Sequence, residues 1–108
     1  MKPNLALYIG GMGARGKNFY NDLIASYGFE AEAAVIQDLY LAGRRDEAIA
    51  AVPDELVRAI SLIGPASYVA ERVAAFAEAG VTTLNVTPLA RSSAERVALM
   101  SGFRALVG

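Results

Sequence analysis

Between Gly64 and Pro88 the chain spells out one complete helix-to-strand unit. Gly64 can cap a helix, and Pro65 suits the first helical position, where its missing N–H costs nothing. Val69, Val73, Phe76 and Ala77 then recur at i, i+4, i+7 and i+8, a single apolar stripe at the helical period. Gly80 supplies the left-handed residue that ends such a helix. Val81 to Val86 is short, β-branched and stopped by Thr87-Pro88, which predicts a buried strand. A helix feeding a buried strand is half of a βα repeat. A lone parallel strand cannot bury both faces or pair its backbone groups, so it needs neighbours. Few other segments read as strands, and the sequence is therefore expected to be a piece of a larger α/β protein.

The 108 residues amount to one domain at most, taken here as a single partial domain over 1–108. Hydrophobic residues make up 55% and charged residues 19%, too apolar for disorder and suited to a segment covered by other parts of a protein. The net charge of −1 provides no basic field for nucleic acid. With no cysteine and no histidine, disulfides, zinc sites built on those residues and a histidine base are all excluded. No metal site is expected. The longest apolar runs fall far short of the ~20 residues that span a bilayer. Met1-Lys2-Pro3 and the short apolar stretch after it lack a signal-peptide pattern, so a cytoplasmic protein without membrane contact is the expectation.

Leu5 to Ile9 reads equally as a strand or a buried helix. Gly10 to Gly16 holds four glycines in seven residues and is expected to be a turn or loop. A helix is predicted over 17–27, ended by Gly28, and another over 29–42 with Phe29, Ala33, Ile36 and Tyr40 on one face. Asp46 is read as the cap of a short helix over 47–52, and Pro53-Asp54-Glu55 as the start of one running to about Ile60. Ser92 and Glu95 form a capping box for a last helix from Ser93 toward Val107. The tally is about six helices and one or two short strands.

Gly11, Gly13 and Gly16 fit G-x-G-x-x-G, and Gly11, Gly16 and Lys17 fit all but the last place of G-x-x-x-x-G-K-[ST]. Bare backbone N–H groups with a lysine at a helix start can hold a phosphate. Against a nucleotide loop, Asn18 replaces the hydroxyl residue that would ligate magnesium, and the next 50 or so residues look helical rather than βαβ. The plainer readings are a connecting turn, or a loop bordering a ligand pocket built mostly from other residues. Arg44-Arg45 beside Asp46-Glu47 reads as a solvated junction. The five tyrosines, Tyr8, Tyr20, Tyr27, Tyr40 and Tyr68, read as amphipathic core fillers. No pair of acids is placed by local spacing as an acid/base couple, so no catalytic residue is assigned. Thr87 and Arg91 lie just past the predicted strand's carboxyl end, where parallel α/β folds hold ligands; a hydroxyl and a guanidinium there suit an anionic group, the alternative being a Thr-Pro turn with an exposed Arg.

Taken in order, the segments Ala59-Ile60-Ser61-Leu62-Ile63-Gly64-Pro65, Val69-Ala70-Glu71-Arg72-Val73 and Ala79-Gly80-Val81-Thr82-Thr83-Leu84-Asn85-Val86 carry a wider likeness. The chain resembles the C-terminal part of the luciferase-like family of flavin- and coenzyme F420-dependent oxidoreductases. Tyr8-Ile9-Gly10-Gly11-Met12-Gly13, Asn18-Phe19-Tyr20 and Leu39-Tyr40-Leu41-Ala42-Gly43 look like its F420-dependent branch. The resemblance implies a (β/α)8 barrel, typically ~250 residues or more, of which this chain would supply the last helices and the final strand. It also implies hydride transfer between a small-molecule substrate and coenzyme F420, or FMN as the alternative. The glycine loop then lies near the cofactor mouth, with Gly10, Gly11, Met12, Thr87 and Arg91 as candidate cofactor-binding residues. Most of the residues cupping the cofactor ring would belong to earlier strands.

Two functions of different class follow. One is part of an F420- or flavin-dependent oxidoreductase, inactive as an isolated chain. The other is a small helical self-association module without catalysis. A homo-oligomer is expected on either reading, because a lone strand and uncovered helix faces invite pairing.

Overall fold

The ambiguous first run folds as helix α1 (Lys2–Gly11), with Pro3 in its first turn. Apolar residues lie all round it, which is why no period could be read there. Ala6, Ile9 and Gly10 are buried while Leu7 and Tyr8 face outward. The computed structural model describes residues 1–107, and the chain divides into two compact units, Met1–Ser61 and Leu62–Gly108.

In the first unit α1 packs against α3 (Glu30–Leu41) and α4 (Arg45–Ala50), with α2 (Phe19–Ile24) alongside α1 and α3. α5 (Asp54–Ile60) completes it. Ala6, Ala33 and Ala48 let the backbones approach, and Ile9, Ile36, Val52 and Leu56 fill the space between them. Full burial of Ile9, Ile36 and Leu56 is worth about 1.5–3 kcal/mol each. Lys2 Nζ lies 2.6 Å from Asp54 Oδ1, tying the start of α1 to the start of α5.

α2 continues into a π-helical turn, Ala25–Phe29, before α3 begins. Gly28 makes the bend with φ 96°. A Cβ there would meet nothing, so the positive φ alone calls for glycine. α3 ends in paired turns, Gly43 N–H to Tyr40 O at 3.0 Å and Arg44 N–H to Leu39 O at 2.9 Å. That closure delivers Arg44 as the residue before α4, so Asp46 lies inside the first turn instead of capping it, and Arg44 pairs with Glu47 one turn on.

The second unit holds α6 (Ala66–Glu78) and α7 (Ser93–Val107). Val69 is buried, Val73 and Phe76 are half-buried, and Ala77 is exposed. α6 ends as predicted: Gly80 takes φ 95°, its N–H donates to Ala77 O at 3.1 Å, and the Val81 N–H donates to Phe76 O at 3.0 Å. The capping box of α7 is formed in both directions, Glu95 N–H to Ser92 Oγ at 3.2 Å and Ser92 N–H to Glu95 Oε2 at 3.3 Å.

Two expectations are corrected. Val81 to Val86 is not a strand, and the described residues contain no strand at all; they form seven α-helices and one π-turn. A parallel strand exists only through its neighbours, and none of the amides of residues 82–86 donates to a backbone carbonyl among the described residues. Nor are the tyrosines uniformly core fillers. Tyr8, Tyr20 and Tyr27 are exposed, because α1 and α2 bury Ala6, Ile9 and Ile24 instead. The Tyr8 and Tyr20 rings pack edge to face on each other, centroids 4.8 Å apart.

Candidate functional site

The segment joining α1 to α2 is organised by two asparagines. Asn18 is 1% exposed. Its Nδ2 donates to Tyr8 O at 3.1 Å and to Ile9 O at 3.0 Å, carbonyls near the end of α1. Its Oδ1 accepts the Asn21 N–H at 3.1 Å, so Asn18 is also the N-cap of α2. Asn21 Nδ2 in turn donates to Ile9 O at 3.0 Å and to Ala33 O at 2.9 Å, tying α1 to α3. The first three members of the hub are orphan groups of helix ends, satisfied without water.

Gly10 and Gly11 belong to α1, not to the loop predicted over 10–16. They lie under Tyr40 of α3. A Cβ on Gly10 would meet Tyr40 Cβ at 2.5 Å, and one on Gly11 would meet Tyr40 Cε1 at 2.5 Å. Their glycine identity therefore serves close helix packing. Arg45 covers the same ring, its guanidinium carbon 5.5 Å from the centroid. Met12, the next residue, is exposed and offers its thioether side chain outward.

The turn proper runs over 12–17. Arg15 reaches back to α3, with Nε 2.9 Å and Nη2 2.8 Å from Asp38 Oδ1. The position that would carry a magnesium-ligating hydroxyl is Asn18, whose side chain is committed to the protein interior. The helix that follows is only six residues long. This local geometry favours the connecting-turn reading of the glycine pattern over the phosphate loop.

Thr87 and Arg91 belong to the second unit, where both border one open hollow of about 620 Å³ together with Pro88, Leu89, Ala90 and Arg96. Arg96 Nε donates to Ala90 O at 3.2 Å, and the Arg91 N–H donates to Glu95 Oε2 at 3.1 Å. The hollow is thus lined by one threonine and two arginines, residue types suited to an anionic arm. Gly10, Gly11 and Met12 are brought together in the first unit, Thr87 and Arg91 in the second.

Residues 2–83 match the family model described as Luciferase-like monooxygenase. The chain belongs to that family. Over 97 residues this luciferase-like chain is 40% identical to a Mycobacterium tuberculosis protein named "Putative coenzyme F420-dependent oxidoreductase". The matched stretch takes in 90% of the chain but 27% of that relative, so the chain spans about a quarter of the relative's length. No solved structure matches it. The luciferase-like family implies a TIM barrel, of which the described residues show helices only. No helix among them is long and apolar enough to cross a membrane.

Asn18 and Asn21 are the residues that sequence reasoning passed over. Asn18 enters the sequence reading as a failed magnesium ligand and as a member of the Asn18-Phe19-Tyr20 resemblance, and neither part is a cap. The available signal was its position: an asparagine directly before an apolar helical pattern is a strong N-cap.

Proposed function

We propose that this chain is part of a coenzyme F420-dependent, luciferase-like oxidoreductase, and that it is inactive alone. The 40% identity to the mycobacterial relative, over nine-tenths of this chain, carries the reading. Within a (β/α)8 parent it supplies the last helices. The bound deazaflavin, with FMN as the alternative, supplies hydride transfer to or from a small-molecule substrate. The chain's own residues bind and orient. Thr87 and Arg91 would hold an anionic part of the cofactor at the hollow of the second unit; Met12, with the Gly10 and Gly11 backbone, is a separate candidate contact on the first unit. Acid–base work falls to residues outside the chain.

The test uses the full-length protein that contains this sequence. Titration with F420 and, separately, with FMN should show saturable binding of F420. Addition of substrate should bleach or restore the deazaflavin's visible band. Failure to bind either cofactor would overturn the reading. Tighter binding of FMN would keep the family function and exchange the cofactor.

A helical self-association module without catalysis is the second reading. It is favoured by α7, which buries none of its residues within its unit.

A further inference from the structure

Residues 13–17 are held very differently at their root and at their tip. The root is Asn18, buried and bonded to Tyr8 O and Ile9 O, so the chain cannot move there without stranding the Tyr8 carbonyl and uncapping α2. The tip is Arg15, whose side chain is 65% exposed and is anchored by Asp38 of α3, itself 62% exposed. Gly13 and Gly16 flank Arg15. Gly16 takes φ 75° with open space around it, and Gly13 lies so close to Lys17 O that a Cβ would meet it at 2.5 Å. Within the turn, the Lys17 N–H donates to Ala14 O at 2.9 Å. The two glycines give the tip backbone freedom that the root lacks.

We propose that residues 13–17 are a latched flap, rooted at Asn18 and closed by the Arg15–Asp38 pair. Both nitrogens of the latch converge on one carboxylate oxygen, so neutralising that carboxylate weakens both bonds at once. The pair lies in solvent, where salt screens it and external anions compete for the guanidinium. Opening frees Arg15 and Asp38 together and leaves α1, α2 and α3 in place, because the asparagine hub lies beneath the hinge. The flap therefore responds to ionic strength through this one pair.

Trypsin reads the flap directly, since it cleaves after Arg15 and Lys17. When opening and closing outrun cleavage, the rate follows the open population. Limited digestion of the chain is compared between native protein and Asp38→Asn, with cleavage after Arg58 in α5 as the monitor of general loosening. Asp38→Asn should raise cleavage after Arg15 and Lys17 by about two- to five-fold, the population change of one exposed ion pair. Cleavage after Arg58 should not change. Added salt should raise the native rate at Arg15 and Lys17, relative to Arg58, toward that of the variant. An unchanged rate at the flap in Asp38→Asn would overturn the latch. An equal rise after Arg58 would also overturn it, because the pair would then support the whole unit.

Discussion

The side-chain amide of Asn18 lies 3.0 Å from the carbonyl oxygen of Ile9, so the residue that opens α2 also closes the end of α1. One side chain thereby satisfies groups on two helices that would otherwise be orphaned in the interior. Asn21 repeats the device toward Ala33 and brings α3 into the same junction. The glycine-rich stretch beside it has no room for a Cβ at Gly10, Gly11 and Gly13, while Gly16 is set by its positive φ.

Asn18→Ala should therefore destabilise the chain by about 2–4 kcal/mol, from one lost N-cap and the stranded Tyr8 carbonyl, Ile9 O keeping its bond from Asn21. Asn18→Asp is the sharper variant. A carboxylate still caps Asn21 N–H but cannot donate to Tyr8 O or Ile9 O, and it sets a charge against both. It should be no more stable than Asn18→Ala at neutral pH. Urea unfolding followed by circular dichroism measures both, and native-like stability of Asn18→Asp would refute the hub.

Gly10→Ala should cost about 1–3 kcal/mol, because its Cβ would collide with Tyr40 Cβ at 2.5 Å and approach Ile36 O at 3.0 Å. Gly11→Ala should cost less, since there the clash is with Tyr40 ring atoms, which can swing. A double-mutant cycle with Tyr40→Ala isolates the contact. Tyr40→Ala keeps the Cβ, so the cost of Gly11→Ala should fall once the ring is gone, while that of Gly10→Ala should largely persist against Tyr40 Cβ and Ile36 O. An equal cost of Gly11→Ala in both backgrounds would mean that the ring contact does not govern that site, since helix propensity alone favours alanine there.

The Lys2–Asp54 pair carries a pH signature. The hydrogen bond from Lys2, and then its charge, hold the Asp54 carboxyl below its ordinary range. A carboxyl lowered in the folded state contributes stability above its unfolded value of about 4, and that contribution is lost as pH falls through the lowered folded value. Native protein should thus exceed Asp54→Asn slightly in melting temperature at neutral pH, with the gap closing in acid. Because both groups reach solvent, high salt should shrink the gap as well. A gap that widens in acid would contradict the assignment.

The elements readable from sequence are those whose causes are local. Gly80 and the Ser92–Glu95 box act within one turn of their helices, and both form as the residues dictate. The helices over 30–41, 54–60 and 66–78 follow from periodic apolar positions and their boundaries from glycine and proline. Val81–Val86 fails for the opposite reason, since β-branched composition describes a strand only where other strands supply the ladder. Tyr8 and Tyr20 were misplaced because an apolar helix like α1 does not announce which side meets the core. Of the candidate residues, Thr87 and Arg91 border one hollow because only four positions separate them in the chain. The burial of Gly10 under Tyr40 was not legible, because that contact joins residues 30 apart in the chain.

The second unit leads to the last prediction. α7 buries no residue, Val97 is 65% and Leu99 50% exposed, and Leu84, Val86, Val97, Met100, Phe103 and Val107 line an open hollow of about 560 Å³. Apolar surface gathered on one face in this way is normally covered by other protein. In the isolated chain the cover at hand is a second copy, most simply through a two-fold contact that buries the same face twice. Light scattering after size exclusion should therefore give a mass that rises with loading concentration. Val97→Glu should shift that mass toward the monomer without reducing helical content, since the residue is exposed within its own unit and charge opposes the contact. A native mass equal to one chain at every concentration, with a single cooperative melt, would show that each unit closes its own core and that the exposed face needs no cover.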